Sequence, residues 1–467
     1  MYLLLALISS FCIVTIHGVN YERPQVPPHL RIPDEKSRPL NSSFPVTFYH
    51  DAYVDFRTTP PRLRIFALAG CVKDEDYLSV DVFYKGFRSP TKKNLKVFGD
   101  AHKANCADVE EPGTPCFYVA NSFVTNLTQA RSVEKILIHM DNRTVTLSVK
   151  EIDGPYSQGL TVCLQPIYYY TQWQNIILYI EAWRAQGATR FIMYYNSATR
   201  ETRKVLEYYR DELGLIELRH WPSFGSLPPQ LSHFYPKFDD ASYSFSYFLA
   251  MNLCILDIKT TLGTVADLDE VLVPQNGTLL EYATSEMRGT NVGALSFENH
   301  YVQLEPSIYS NDFGGLANPI FLEKWGGRKF IFNTSTIDVA QVHFARSFLD
   351  PSKIEKNAST GALLHYRFNV EEFNATVVEK DFNFFPGNVW EHIQNMQETA
   401  IQIFGQNLPS VDLNLIRVLN RCIQRIQIHG GCKATSGLCK KDMDSVYDWI
   451  YDRTENTFLS GIFEQED

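Results

Sequence analysis

The chain has 467 residues, 45% hydrophobic and 21% charged, an ordinary globular composition with room for two or three domains. A formal net charge of −10 argues against a nucleic-acid partner. Aromatic residues reach 13%, with 25 Tyr and 31 Phe, which suits a large packed core and sugar-stacking surfaces alike.

Residues 1–18 hold the apolar stretch Tyr2 to Ile16. It is short for a spanning helix, which needs about 20 residues. It reads as a signal peptide with Ile16-His17-Gly18 at the cleavage site, or as an uncleaved membrane anchor. Either takes the chain into the secretory pathway, soluble in the lumen in one case and membrane-held in the other. Sequons at Asn41, Asn126, Asn142, Asn276, Asn333, Asn357 and Asn374 agree with that route. So do eight cysteines beyond Cys12, an even number that predicts disulfides. Cys106 with Cys116 would close a short loop, and two of Cys422, Cys432 and Cys439 would staple the carboxyl end. Cys163 and Cys254 lie in apolar runs and read as buried thiols.

Residues 19–45 are rich in Pro and charge and read as a stem. Residues 46–155 read as a β-rich accessory domain, a sandwich by expectation, with alternating runs at 64–68, 78–84, 135–140 and 145–149. From 156 the pattern changes to strands and helices in turn. Leu160–Leu164 is a strand that Pro166 should end. Thr171 to Ala188 is a helix, with Trp173, Ile176, Ile177, Ile180 and Trp183 at helical spacing and Gly187 as its stop. Strands at 190–195, 215–218 and 264–266 follow, separated by helices at 201–213 and 241–256. This order predicts an α/β domain over 156–435 with a mostly parallel sheet. A helical tail completes the chain at 436–467.

Ligands of such sheets bind beyond the carboxyl ends of the strands. There the sequence places Asp267-Leu268-Asp269-Glu270, between Val265-Ala266 and Val271-Leu272-Val273-Pro274. Two carboxylates one residue apart at a strand end point the same way and repel unless a cation sits between them. Hard oxygen donors favour Mg²⁺ or Mn²⁺, and open positions on such an ion go to phosphates. Asp269 is the expected direct ligand and Asp267 a contact to metal or ribose, with Glu270 shaping the turn. Asn196, at the end of another strand, is a second candidate nucleotide contact. His343 is a candidate third ligand, and Glu298 and Asp312 are candidate general bases for an acceptor hydroxyl. No GxGxxG, P-loop, GxSxG or HExxH motif supports a dinucleotide enzyme, a nucleotide triphosphatase, a serine hydrolase or a zinc protease. A catalytically inactive secreted carbohydrate-binding protein and a two-carboxylate glycosidase are the competing classes.

The segments Val162-Cys163-Leu164-Gln165-Pro166, Gln186-Gly187-Ala188, Phe191 to Asn196, Asp267 to Pro274, and Lys329-Phe330-Ile331 followed by Val342-His343 resemble glycosyltransferase family 92, known for nematode members and plant galactan synthases. The resemblance implies a GT-A (Rossmann-like) catalytic domain beside the amino-terminal β-rich domain. It further implies an inverting, manganese-dependent transferase of the Golgi lumen. Such an enzyme moves galactose from a UDP-sugar donor to a glycan or glycoprotein acceptor, and the late histidine, here His343, often completes its metal site.

Overall fold

A computed structural model describes residues 47–70, 76–100, 118–140, 143–221, 236–242, 246–304, 313–324, 326–367, 376–428 and 434–452. The leader, the stem, Cys71, Cys106, Cys116, Cys432, Asp312, the sequons at Asn41, Asn142 and Asn374, and the chain beyond 452 lie outside the described residues.

Seven strands near the amino terminus close into a barrel: Phe48–Asp55 (β1), Arg62–Ala69 (β2), Tyr77–Tyr84 (β3), Lys92–Asp100 (β4), Val119–Asn126 (β5), Val133–Met140 (β6) and Arg143–Ile152 (β7). Their order is β1-β2-β5-β4-β3-β6-β7, and β1 pairs parallel with β7 to complete the circle. A barrel thus replaces the expected sandwich. Period-two alternation is the same in both, and only the non-local pairing of β1 with β7 distinguishes them. Val54, Leu63, Ile65, Val80, Phe123 and Ile136 fill the interior. The alternate residues of β1 and β2, among them Phe48, Tyr53, Phe66 and Leu68, join a second core shared with the rest of the molecule.

The following domain is the expected α/β arrangement. Its seven-stranded sheet runs Ile216–His220, Ala188–Tyr195, Ser157–Ile167, Thr260–Val265, Lys329–Asn333, Val292–Phe297, Ile354–Asn357. The first four strands are mutually parallel. Lys329–Asn333 runs antiparallel to both its neighbours. Pro166 does not end its strand: a register shift between Leu164 and Ile167 absorbs it. The predicted helix at 241–256 is two pieces, Phe238–Ala241 and Tyr247–Asp257.

A five-stranded sheet stands beside the first, in the order Glu270–Pro274, Gly361–Arg367, Asn299–Gln303, Ile320–Leu322, Val377–Val378. The chain leaves one sheet at Val265 and enters the other at Glu270. The acidic turn is therefore the bridge between two sheets. Cys163 and Cys254 are not thiols but a disulfide tying strand Ser157–Ile167 to helix Tyr247–Asp257. Cys422–Cys439 staples the carboxyl-terminal segment. Among the described residues no helix is long and apolar enough to cross a membrane.

Candidate functional site

Helix Trp173–Ala185 fixes the backbone of the acidic turn. Asn175, Tyr179 and Trp183 recur every fourth residue and so share one helix face. Asn175 Nδ2 donates to the Leu268 carbonyl at 3.0 Å and Trp183 Nε1 to that of Glu270 at 3.0 Å. Tyr179 Oη approaches the Ala266 carbonyl at 3.5 Å. Tyr366 Oη also donates to the Leu268 carbonyl, at 2.9 Å. Glu270 closes the turn as expected: Oε2 accepts from the Asp267 N–H at 2.9 Å, and the Glu270 N–H donates to the Asp267 carbonyl at 3.1 Å.

The side chains of Asp267 and Asp269 remain 28% and 31% exposed, so both carboxylates are open to a ligand. Each is held by a residue from a different sheet. Lys329 Nζ lies 3.1 Å from Asp267 Oδ2 and 3.1 Å from Glu270 Oε2. His365, directly across the ladder from Glu270, places Nε2 3.2 Å from Asp269 Oδ2. Asn299 Nδ2 lies 3.2 Å from the other ring nitrogen, and Tyr301 stacks on the imidazole at 4.5 Å. Tyr247 Oη approaches Asp267 Oδ1 at 3.4 Å. Burial, with the charges of Asp267 and Asp269 beside it, raises the Glu270 carboxyl above its ordinary value, while the Lys329 ammonium pulls the other way. Burial alone would lower the Lys329 ammonium, but Asp267 and Glu270 outweigh it and hold the group well above its ordinary value.

His343 sits at the turn of the hairpin formed by Ile337–Ala340 and Ala345–Phe348, exposed at the surface, with Nδ1 2.8 Å from the Arg328 carbonyl. Partial desolvation and the nearby Lys329 charge lower its pKa, while Asp267 acts in the opposite direction. The imidazole itself makes its hydrogen bond to backbone. Asn196 is buried and committed to structure: Nδ2 donates to the Trp221 carbonyl at 2.9 Å, and Oδ1 accepts from Ser197 Oγ at 2.9 Å. Its carbonyl accepts from the Asp452 N–H at 3.0 Å. Glu298 is 65% exposed and ion-paired to Arg328 at 2.9 Å. The structure therefore gathers Asp267, Asp269 and Glu270, sets His343 against the carbonyl of Arg328, the residue before Lys329, and adds Lys329 and His365, which the sequence reading did not single out for the site. Asp312 lies outside the described residues.

Two part-exposed carboxylates on a fixed turn suit a Mg²⁺ or Mn²⁺ ion, which takes one or two protein carboxylates and completes its shell from water and phosphate. Among the described residues no group of three or more His, Cys, Asp or Glu forms a ready-made metal site.

The chain carries a glycosyltransferase domain, since residues 158–404, more than half its length, match the family model for glycosyltransferase family 92. It belongs to that family. No curated protein matches it. Solved structures with a similar trace share little sequence. Glucosyl-3-phosphoglycerate synthase from Mycobacterium tuberculosis is 11% identical, covering 54% of this chain and 81% of that one, with a TM-score of 0.22. The galactosyltransferase LgtC is 12% identical over 38% and 58%, at 0.19. GalNAc-T7, solved with UDP, GalNAc and Mn²⁺, is 8% identical over 64% and 59%, at 0.25.

Proposed function

We propose that this chain is an inverting GT-A glycosyltransferase of the nematode type. It moves a hexose, galactose by the family's habit, from a UDP-sugar to a glycan or glycoprotein hydroxyl. The observation that carries the reading is the acidic turn bridging the two sheets, with Asp267 and Asp269 open to solvent and their backbone pinned by helix Trp173–Ala185. Asp269 and Asp267, with His343, would hold a Mn²⁺ or Mg²⁺ ion, which when bound offsets the negative charge developing on the leaving diphosphate.

The protein's own part is placement. Lys329 and His365 keep the two aspartates apart and aimed, so little reorganisation is left for the moment of reaction. Inversion needs one in-line displacement, with a carboxylate receiving the acceptor proton. Glu298 would have to leave its Arg328 pair to do this, and Asp312 is the alternative.

Calorimetric titration of UDP in the presence and absence of Mn²⁺ tests the site. Asp269→Ala should lower transfer and Mn²⁺-dependent UDP binding at least about 100-fold, with Tm within a few degrees of wild type. Wild-type turnover by that variant would refute the assignment. Metal-independent binding of a free glycan, with no UDP binding, would favour the inactive carbohydrate-binding protein.

We also place the enzyme in the secretory lumen, the Golgi by family habit, held by residues 1–18 if these are not cleaved. The Cys163–Cys254 and Cys422–Cys439 disulfides support an oxidising compartment. Exposed sequons at Asn126, Asn276 and Asn357 support exposure to the glycosylation machinery. Mass spectrometry of the secreted protein before and after N-glycan removal should find glycans at Asn276 and Asn357; an unmodified protein from a glycosylating host would contradict this location.

A further inference from the structure

We propose that Lys329 is a built-in counter-cation, a positioning residue whose charge holds the acidic turn in its binding arrangement when no metal is there. The inference rests on the reading of the turn as a metal–diphosphate site. It starts from the crowding of three carboxylates into four residues, Asp267, Asp269 and Glu270. Such a cluster repels itself, and Glu270, only 4% exposed, cannot rely on water. Lys329 is just 1% exposed. It opens a strand that continues through the buried Phe330, Ile331 and Phe332, a position where an unpaired ammonium would be costly.

The geometry supplies the pairing. One ammonium bridges Asp267 Oδ2 and Glu270 Oε2 at 3.1 Å each, across the turn that Glu270 itself closes through the Asp267 N–H. Lysine suits this place better than arginine, as a compact point charge rather than a planar fork. Asp269 is held from the other sheet by His365. The two aspartates are therefore fixed independently, and the one next to the lysine keeps its orientation between turnovers.

The test is a stability cycle on the full chain with Lys329→Met, Glu270→Gln and the double variant, melted without metal, beside Mn²⁺-dependent UDP titrations. Lys329→Met should lower Tm by about 5 °C or more, because it leaves the buried Glu270 carboxyl without its cation, either charged and unpaired or forced to take up a proton. Adding Glu270→Gln should restore at least half of that loss, since a neutral amide needs neither a counter-cation nor a proton. The double variant should still bind UDP with Mn²⁺ at least about tenfold more weakly than wild type, because Asp267 is no longer held. A lysine that merely fills space predicts a double variant as unstable as the single one, or one that binds UDP as wild type does; either result overturns the proposal. If Lys329→Met yields no folded protein, recovery of folded double variant supports it and failure of both overturns it. Absence of Mn²⁺-dependent UDP binding in wild type would refute the functional reading instead, and the melting cycle would still decide whether the lysine acts through its charge.

Discussion

At the scale of single residues, the segment Gly326-Gly327-Arg328-Lys329 organises one side of the site. A methyl group on Gly327 would lie 2.2 Å from His343 Cε1, and one on Gly326 would lie 2.6 Å from Asn299 Cγ. Both glycines are there because imidazole and amide occupy the space of a side chain. Arg328 offers its carbonyl to His343 and its guanidinium to Glu298, and Lys329 reaches Asp267 and Glu270. Gly327→Ala should therefore displace His343 while leaving Asp267 and Asp269 in place. If His343 joins the metal site, Mn²⁺-dependent UDP affinity should fall about tenfold with little change in Tm, read by calorimetry and thermal melting. Unchanged affinity, in a variant whose structure shows the ring displaced, would remove His343 from the site. The aspartates were legible in sequence because an apolar strand ends on them. His365 was not, since it lies 96 residues from Asp269 and reads only as one polar residue in Ala362-Leu363-Leu364-His365-Tyr366. A lone histidine in a buried strand was the available signal, as was the lysine ahead of Phe330-Ile331-Phe332.

At the scale of elements, local periodicity carried the α/β order, and what it missed depends on distant partners. Helix Trp173–Ala185 announces itself through its apolar spacing and the Gly187 stop, where φ is +95°. Its second role, the Asn175, Tyr179 and Trp183 row that grips the acidic turn, is invisible locally because the acceptors are backbone carbonyls 87 to 93 residues away. The same reason hid three barrel strands. Phe48–Asp55 carries His50, Asp51 and Asp55, which break an apolar reading until Lys150 and the arginines that pair with them are brought near. Glu298 shows the converse. It follows the strand Val292–Phe297, a position that suggests chemistry, yet its carboxylate is paired to Arg328. Sequence can place a residue at a strand end, but it cannot say which neighbour already holds it.

At the scale of the whole molecule, the barrel is built into the transferase. Helix Tyr247–Asp257 packs in a core that also includes Phe48, Tyr53 and Phe66 of the barrel. Its Tyr247 approaches Asp267, and its Asn252 clasps both the N–H and the carbonyl of Ala340 at the base of the His343 hairpin. From the barrel, Arg57 donates to the carbonyls of Thr334 and Ile337, and Arg64 pairs with Asp338. The change of pattern from residue 156 revealed two folds in sequence but not the core they share.

The keystone of this junction is Asp55, fully buried between Arg57 at 2.8 Å and Arg64 at 3.1 Å. Burial alone would raise its pKa; the hydrogen bonds and charges of Arg57, together with Arg64, outweigh this and hold it below the ordinary value. A carboxyl whose folded pKa lies below its unfolded value, about 3.9, stabilises the protein fully above that pH. The contribution then drains away as pH falls through the folded value. Asp55→Asn should cost about 3–5 kcal/mol near neutrality, because two buried guanidiniums lose the carboxylate between them. The gap in Tm between wild type and Asp55→Asn should narrow as melts are taken from pH 7 down below about pH 4. A gap that stays constant to pH 2.5 would mean that the junction is held by packing rather than by this charge.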